Sequence, residues 1–580
     1  MFDNMLLELT FKNRGYPDDY LTRISNARHR VLANTDIFVE RLHQLHDSGD
    51  LTVILSDFDM DGISAGTLGY AGLAELGFNV SLYLVDPTSG YGFSSDTIRD
   101  IYAKYGGRVR TIITCDVGIT CNEAIDTARE LGIEVLLTDH HEPDSKKALP
   151  NAYCVIDPKC ENTVTGYEHP DICGAYVLYQ LIESYATKYY DRMTVEQIKR
   201  LQVFAGMGTI SDGMPLLYEN RRLVQDAMSI AKLIFASGSD FVVNYMSGCD
   251  QYRRAFRGLY LLLKAFVDAG KLKSVDDITS EFFAFYVAPT FNSVKRIGKS
   301  SDMEHAFGVF FGPDPEGSVA YLMNLNTERK AVVSEYFKKM QGSVQPYAPY
   351  VYLSDASGGI LGLLAQKQME LTGLPCLVIT SDKGDGSWHG SGRAPGWYAF
   401  RSRALEQGFY VAGHEGAFGA GFKNNKELRR FYEFVRQDVE MVRQTVDLKP
   451  YELRPDFIID HSGAGDTVID IVLFMDYIDE MSRLGPFGAG FPAPQVLLRF
   501  NAEDAEWITR GAMKQHAFAT LAYGFEVALF NQAHLVEDMR AENPEQTFCV
   551  LGHLAMNRYH SDRTDSDIET MQFVGDIIVD

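Results

Sequence analysis

Acidic and imidazole side chains collect at the ends of short apolar runs in this 580-residue chain. LTVILS (51–56) leads into Asp57, Asp59 and Asp61, VRTIITC (109–115) into Asp116, and IEVLLT (133–138) into Asp139, His140 and His141. AYCVI (152–156) leads into Asp157, and FAGMGTIS (204–211) into Asp212. One Asp in such a place is commonly a turn or helix cap. Several converging carboxylates are another matter, because they repel and raise one another's pKa. A bound cation removes that penalty. Carboxylate with imidazole suits Mn²⁺ or Mg²⁺ better than the thiolate cage typical of zinc. Five or more candidate ligands exceed the needs of one open site, so two ions are expected. Cations roughly 4 Å apart serve in-line displacement at phosphorus. Hydrolysis of a phosphoester is the reaction class these groups fit best.

The elements that must position these groups alternate. LTVILS, NVSLYLV (79–85), VRTIITC, IEVLLT and AYCVID (152–157) read as strands, with helices such as GISAGTLGYAGLAELG (62–77) between them. Continuous apolar strands separated by helices predict a parallel sheet covered on both faces. Such sheets bind ligands at the carboxyl ends of their strands, where the acids lie. The predicted fold class is α/β: a parallel-sheet domain, a helical linker, a second α/β domain and a C-terminal β-domain. The predicted divisions are an N-terminal helical segment (1–50), the catalytic domain (51–235), a helical insert and linker (236–345), the second α/β domain (346–448) and the acidic β-domain (449–580).

Hydrophobic residues make up 46% and charged residues 23%, the balance of a soluble globular protein. This excludes disordered, collagen-like and disulfide-scaffold classes. The net charge is −24, which excludes a simple basic nucleic-acid coat. Residues 451–580 hold 8 Lys and Arg against 22 Asp and Glu, a net −14, leaving −10 on the other 450 residues. A surface for a polyanion is therefore sought before residue 450. The eight cysteines form no CxxC pair, and there is no basic leader or long apolar run. A cytoplasmic protein without a membrane span is expected.

The motifs SDFDMDG, TCDVGIT, TDHHEP and GTISDGMP, in that order, resemble the DHH phosphoesterase superfamily. The likeness narrows to the RecJ single-stranded-DNA-specific exonucleases through AFYVAPTFNSVKRIG (284–298), LNTERK (325–330), GSGRAPG, AGHEGAFGAGF and LGPFGAGFPAPQVLLR (484–499). The resemblance implies a DHH catalytic domain, a DHH-associated substrate-binding domain and a C-terminal OB-like domain. It puts the metal ligands on Asp59, Asp61, Asp116, His140 and Asp212, with Asp57 beside them. His141 would face the scissile phosphate. Asn292, Arg296, Ser391, Arg393 and His414 match substrate-contacting positions. The implied activity is a Mn²⁺- or Mg²⁺-dependent exonuclease that digests single-stranded DNA 5′-to-3′ to nucleoside monophosphates, in repair and recombination. The acidic C-terminal domain would brace the ring around the cleft, or contact a single-strand-binding or other repair protein.

There are departures. Asp86 stands where relatives usually carry an Arg that holds the 5′ end. The helical stretch 225–280 is longer than in a bacterial housekeeping relative. Two other readings stay open: a phosphodiesterase on short oligonucleotides or cyclic dinucleotides, and a non-catalytic RecJ-like scaffold. Arg253, Arg254 and Arg257, with Tyr252 and Phe256 between them, read as a solvated helix face with its aromatics inward. Lys295, Arg296 and Lys299 fit a nucleic-acid path better.

Overall fold

The computed structural model describes residues 5–25, 31–85, 92–144, 147–160, 169–244, 248–381, 386–446, 455–462, 471–511, 514–530, 532–561 and 566–579. Asp86 lies outside them. The first sheet is built from β1 (Leu51–Ser56), β2 (Val80–Leu84), β3 (Val109–Cys115), β4 (Glu134–Thr138) and β5 (Cys154–Ile156). Its order is β2-β1-β3-β4-β5, with every pairing parallel. All but the first residue of β1 are buried, as a strand covered on both faces requires. Helices Met60–Glu75 and Gly174–Tyr189 pack on this sheet and on each other.

Among the described residues, five longer helices follow between Tyr218 and Gln341. Among them, Asp250–Asp268 buries Tyr252 and Phe256 completely. Arg254 on that helix caps the carbonyls of Phe311 and Gly312, and Arg257 meets Glu316. Two of the three arginines thus serve structure. Two helices recur below. Ala288–Ile297, the linking helix, runs toward the second sheet, and Pro315–Gln341 packs along it.

The second sheet has the order β6-β7-β8-β10-β9. It comprises β6 (Val351–Leu353), β7 (Cys376–Thr380), β8 (Trp388–Arg393), β9 (Tyr410–His414) and β10 (Ala417–Phe422). The glycine-rich GSGRAPG and GAFGAGF stretches contribute to strands β8 and β10 rather than to phosphate-cradling loops. Their glycines let side chains from neighbouring strands lie flat: a Cβ on Gly392 would collide with the ring of Phe418.

The third sheet is seven-stranded, β11-β12-β16-β17-β15-β14-β13. Its members are β11 (Phe457–His461), β12 (Val496–Asn501), β13 (Glu506–Arg510), β14 (His516–Thr520), β15 (Glu526–Leu529), β16 (Thr547–Ser561) and β17 (Ser566–Val579). The chain's first helices, Met5–Asn13 and Tyr20–Ser25, join this body rather than the first one. Leu6, Leu7, Phe11 and Ile24 enter its core. Arg14 forks onto the buried Asp456 at 2.7 and 2.9 Å. Helix Thr35–Ser48 packs instead on the first body. The expected 1–50 segment therefore divides between two cores.

Buried Arg221 ties the third body to the first, donating to the carbonyls of Leu484, Gly485 and Pro486 with its guanidinium 4.7 Å from the ring centre of Phe491. The amide of Leu216 donates to Ala489 O at 2.7 Å, and Ser280 Oγ to Phe487 O at 2.9 Å. Among the described residues, no helix is long and apolar enough to cross a membrane.

Candidate metal centre

The acids that follow β1, β3 and β4 meet above the carboxyl edge of the first sheet, as the parallel order dictates. Asp57, Asp59 and Asp116 form one trio of convergent oxygens, and Asp61, His140 and Asp212 form a second. The trios are joined where His140 Nε2 lies 3.0 Å from Asp116 Oδ1. The same nitrogen lies 3.8 Å from Asp61 and 3.6 Å from Asp212. Asp212 arrives from the end of helix Gln202–Ser211, not from a strand.

Local structure fixes each group. Asp59 caps helix Met60–Glu75, accepting from the amides of Asp61 and Gly62 at 3.0 and 3.2 Å. Asp61 accepts from the first amides of helix Gly174–Tyr189, Gly174 at 2.7 Å and Ala175 at 3.1 Å. A helix start favours a negative charge. Asp116 has a positive φ of 63°, a strained backbone of the kind that clusters at functional sites. Asp139 accepts from the amides of His140 and Ile119 and from His141 Nδ1 at 2.8 Å. Asp139 was visible in the sequence only as the first member of its triplet; here it orients the third.

Burial pushes Asp116 well above the ordinary carboxylate range, with Asp61, Asp59 and Asp57 adding repulsion. Burial raises Asp57 and Asp212 to about 7 and Asp61 to about 6. Asp59 goes down: burial opposes this, but Lys295 Nζ at 3.9 Å and two backbone amides outweigh it. Burial lowers His140 to about 4. His141 rises to about 9, because the bond and charge of Asp139 outweigh burial.

These side chains fit a divalent cation. Both ring nitrogens of His140, and one oxygen each of Asp57, Asp116 and Asp212, are buried without a hydrogen-bond partner. Leaving so many buried polar atoms unpaired is costly, and oxygen donors with imidazole are what a hard or borderline ion takes. Two glycines make room. A Cβ on Gly174 would sit 2.5 Å from Asp116 Cβ, and one on Gly208 would overlap Asp61 Oδ1. Gly174 carries no sequence signal for this role, whereas Gly208 opens the GTISDGMP motif.

Residues 52–205 match the DHH family N-terminal domain, and residues 471–565 the RecJ OB domain. This chain carries a DHH-family domain and a RecJ OB domain and is RecJ-like. The single-stranded-DNA-specific exonuclease RecJ of Bacillus subtilis is 26% identical over 542 residues, 90% of this chain and 61% of that protein. The Escherichia coli RecJ is 25% identical over 80% of this chain and 77% of its own length. In fold, the RecJ-like chain is similar to Thermus thermophilus RecJ, whose crystal structure is a complex with Mn²⁺. The TM-score is 0.72 at 20% identity, covering 100% of this chain and 76% of the other.

The other sequence-selected residues lie along the linking helix and second sheet. Asn292 Oδ1 accepts from the amide of Met60 at 2.9 Å, which ties the linking helix to the Asp57–Asp61 turn. Arg296 Nη1 donates to Gly359 O at 3.2 Å, at the start of helix Gly358–Thr372. Arg393, at the end of β8, reaches the same helix at Gly362. Ser391 is half-buried on β8. His414 ends β9, and its side chain lies outside the described residues.

Proposed function

We propose that this chain is a divalent-metal-dependent exonuclease acting on single-stranded DNA and releasing nucleoside monophosphates. The observation that carries the reading is the pair of ligand trios joined through Asp116 and His140, whose buried atoms lack partners. Asp57, Asp59, Asp61, Asp116, His140 and Asp212 would hold two ions, Mn²⁺ or Mg²⁺. Ions so held would supply charge neutralisation for displacement at a phosphodiester.

The chain's own residues do the rest. Asp139 orients His141 and favours its imidazolium, which donates a hydrogen bond to the scissile phosphate as negative charge grows there. Asn292 keeps the linking helix in register with the Asp57–Asp61 turn. Arg296, Ser391, Arg393 and His414 hold the strand, and the space between the first two bodies admits one strand and excludes a duplex. The named relatives are single-stranded-DNA-specific exonucleases, which supports this substrate. The direction is 5′-to-3′, the compartment the cytoplasm and the pathway repair and recombination. The acidic third body braces the first and offers a surface to a repair protein.

Asp139→Asn should lower kcat on a labelled strand by about 10- to 100-fold, the usual cost of losing a group that orients its neighbour at such a site. Mn²⁺ affinity should change far less than kcat. A kcat equal to wild type would remove His141 from the chemistry.

The substrate is tested with strands labelled at the 5′ or 3′ end, with and without a 5′ phosphate, in Mn²⁺. Mononucleotides should appear from the 5′ end of single strands, while duplex stays intact. Faster turnover of a dinucleotide than of a long strand would reassign the chain to the short-oligonucleotide phosphodiesterases. Inertness toward both, without Mn²⁺ binding, would make it a scaffold.

A further inference from the structure

Three guanidinium groups converge where the linking helix meets the second sheet. Arg296 comes from the linking helix, Arg393 from β8 and Arg329 from helix Pro315–Gln341. Arg296 Nη1 donates to Gly359 O at 3.2 Å and Arg393 reaches Gly362, so both guanidiniums lie at the start of helix Gly358–Thr372. Among the described residues, Asp59 pairs with Lys295, and none of the three guanidiniums is in an ion pair with a carboxylate. All three are partly or largely withdrawn from water, and burial lowers the pKa of each. Like charges brought together out of water are unfavourable unless an anion joins them.

Arg329 is also held in place. Its Nε donates to Asn326 Oδ1 at 3.0 Å. Buried Asn326 donates in turn from Nδ2 to Thr290 Oγ1 at 3.2 Å, and Thr290 donates to Tyr286 O at 2.7 Å. This relay spends one side of the guanidinium on orientation. It ties Arg329 on the long helix to Thr290 on the linking helix, the helix that also carries Arg296.

We propose that Arg329 is a substrate-binding residue: with Arg296 and Arg393 it completes a three-guanidinium pocket that takes one backbone phosphate of the strand. Guanidinium forks suit phosphate oxygens. Because Arg393 belongs to the second body and the other two to the helical segment, the phosphate would also bridge the two sides of the cleft. Asn326 is a positioning residue acting through Arg329. The proposal rests on the single-strand reading above.

The test is binding of a 5′-labelled oligothymidylate in EDTA, followed by fluorescence anisotropy across a salt series. Arg329→Gln should weaken binding about tenfold. It should also make the slope of log affinity against log salt shallower by about 0.7, one phosphate contact on a single strand. In Mn²⁺ it should raise KM with kcat within about twofold, the signature of lost ground-state binding. Arg329→Lys should restore the slope but only part of the affinity. Asn326→Leu should keep the slope and lose about threefold in affinity, since the charge remains but its anchor is gone.

An unchanged slope in Arg329→Gln, where Arg393→Gln flattens it, overturns the role of Arg329 and leaves the function intact. Failure of the wild type to bind the strand overturns the function instead. Thermal melts accompany each variant. If Arg329→Gln melts early, Asn326→Leu decides, and wild-type affinity there refutes the proposal.

Discussion

Asp116→Asn is expected to abolish strand hydrolysis while making the metal-free protein more stable. Asp116 lies in the first trio and touches the second through His140 at 3.0 Å. An amide cannot supply the charge that holds a cation there. A loss of about 10³-fold or more is expected, ~4 kcal/mol of transition-state stabilisation. Without metal, the wild-type carboxylates are a liability. Their folded pKa values are raised, to about 7 for Asp57 and Asp212 and about 6 for Asp61. A raised carboxylate contributes stability that is present below its unfolded value of ~4 and lost as pH rises through the folded value. The metal-free protein should therefore lose stability between pH ~4 and 7. Removing this carboxylate should relieve part of this, raising Tm in EDTA at pH 7.5 by about 2–4 °C, equivalent to ~1 kcal/mol. Mn²⁺ should raise the wild-type Tm and leave the variant's nearly unmoved. Melting curves with and without Mn²⁺ check both signs. A variant that keeps the Mn²⁺ shift would remove Asp116 from the ligand set.

Much of this site was legible because the chemistry sits next to the elements that carry it. β1, β3 and β4 read as strands since a strand covered on both faces is continuously apolar. The acids directly after them had to share one edge. Asp212 was legible as a candidate but not as the end of a helix, because FAGMGTIS is apolar enough for either element.

What stayed hidden depends on contacts distant in sequence. Arg14 and Asp456 are 442 residues apart, and nothing local says that Met5–Asn13 packs on the third sheet rather than the first. FATLAYGFEVALF (518–530) is almost continuously apolar, yet the turn Ala522–Gly524 separates β14 from β15 within it. The acidic excess of residues 451–580 pointed away from a phosphate-binding role for that body. Its attachment through Arg221 and the 484–491 turn fits a brace, which needs buried hydrogen bonds more than surface cations. Arg329 was hidden for a related reason. LNTERK was legible as part of the resemblance, but the motif alone does not say that Asn326 meets Thr290 on the linking helix.

Gly208→Ala is expected to disable the centre without replacing any ligand. The methyl group would overlap Asp61 Oδ1 and lie 2.9 Å from Ala175 Cβ. Helices Met60–Glu75 and Gln202–Ser211 are packed together and cannot part cheaply, so the carboxylate must move. Moving it breaks the bonds that Asp61 accepts from Gly174 and Ala175, and withdraws it from His140 and Asp212. A displacement of ~1 Å at a catalytic constellation costs about 10²-fold in rate. Overpacking costs a further ~1–3 kcal/mol of stability. The discriminating measurement is the Mn²⁺ dependence of the residual rate. Because the ligands remain but one is displaced, high Mn²⁺ should recover part of the activity of Gly208→Ala and none in Asp116→Asn. Wild-type rate and Mn²⁺ affinity in Gly208→Ala would show that Asp61 has room to relax, and that the helix start at Gly174 does not hold it in its working position.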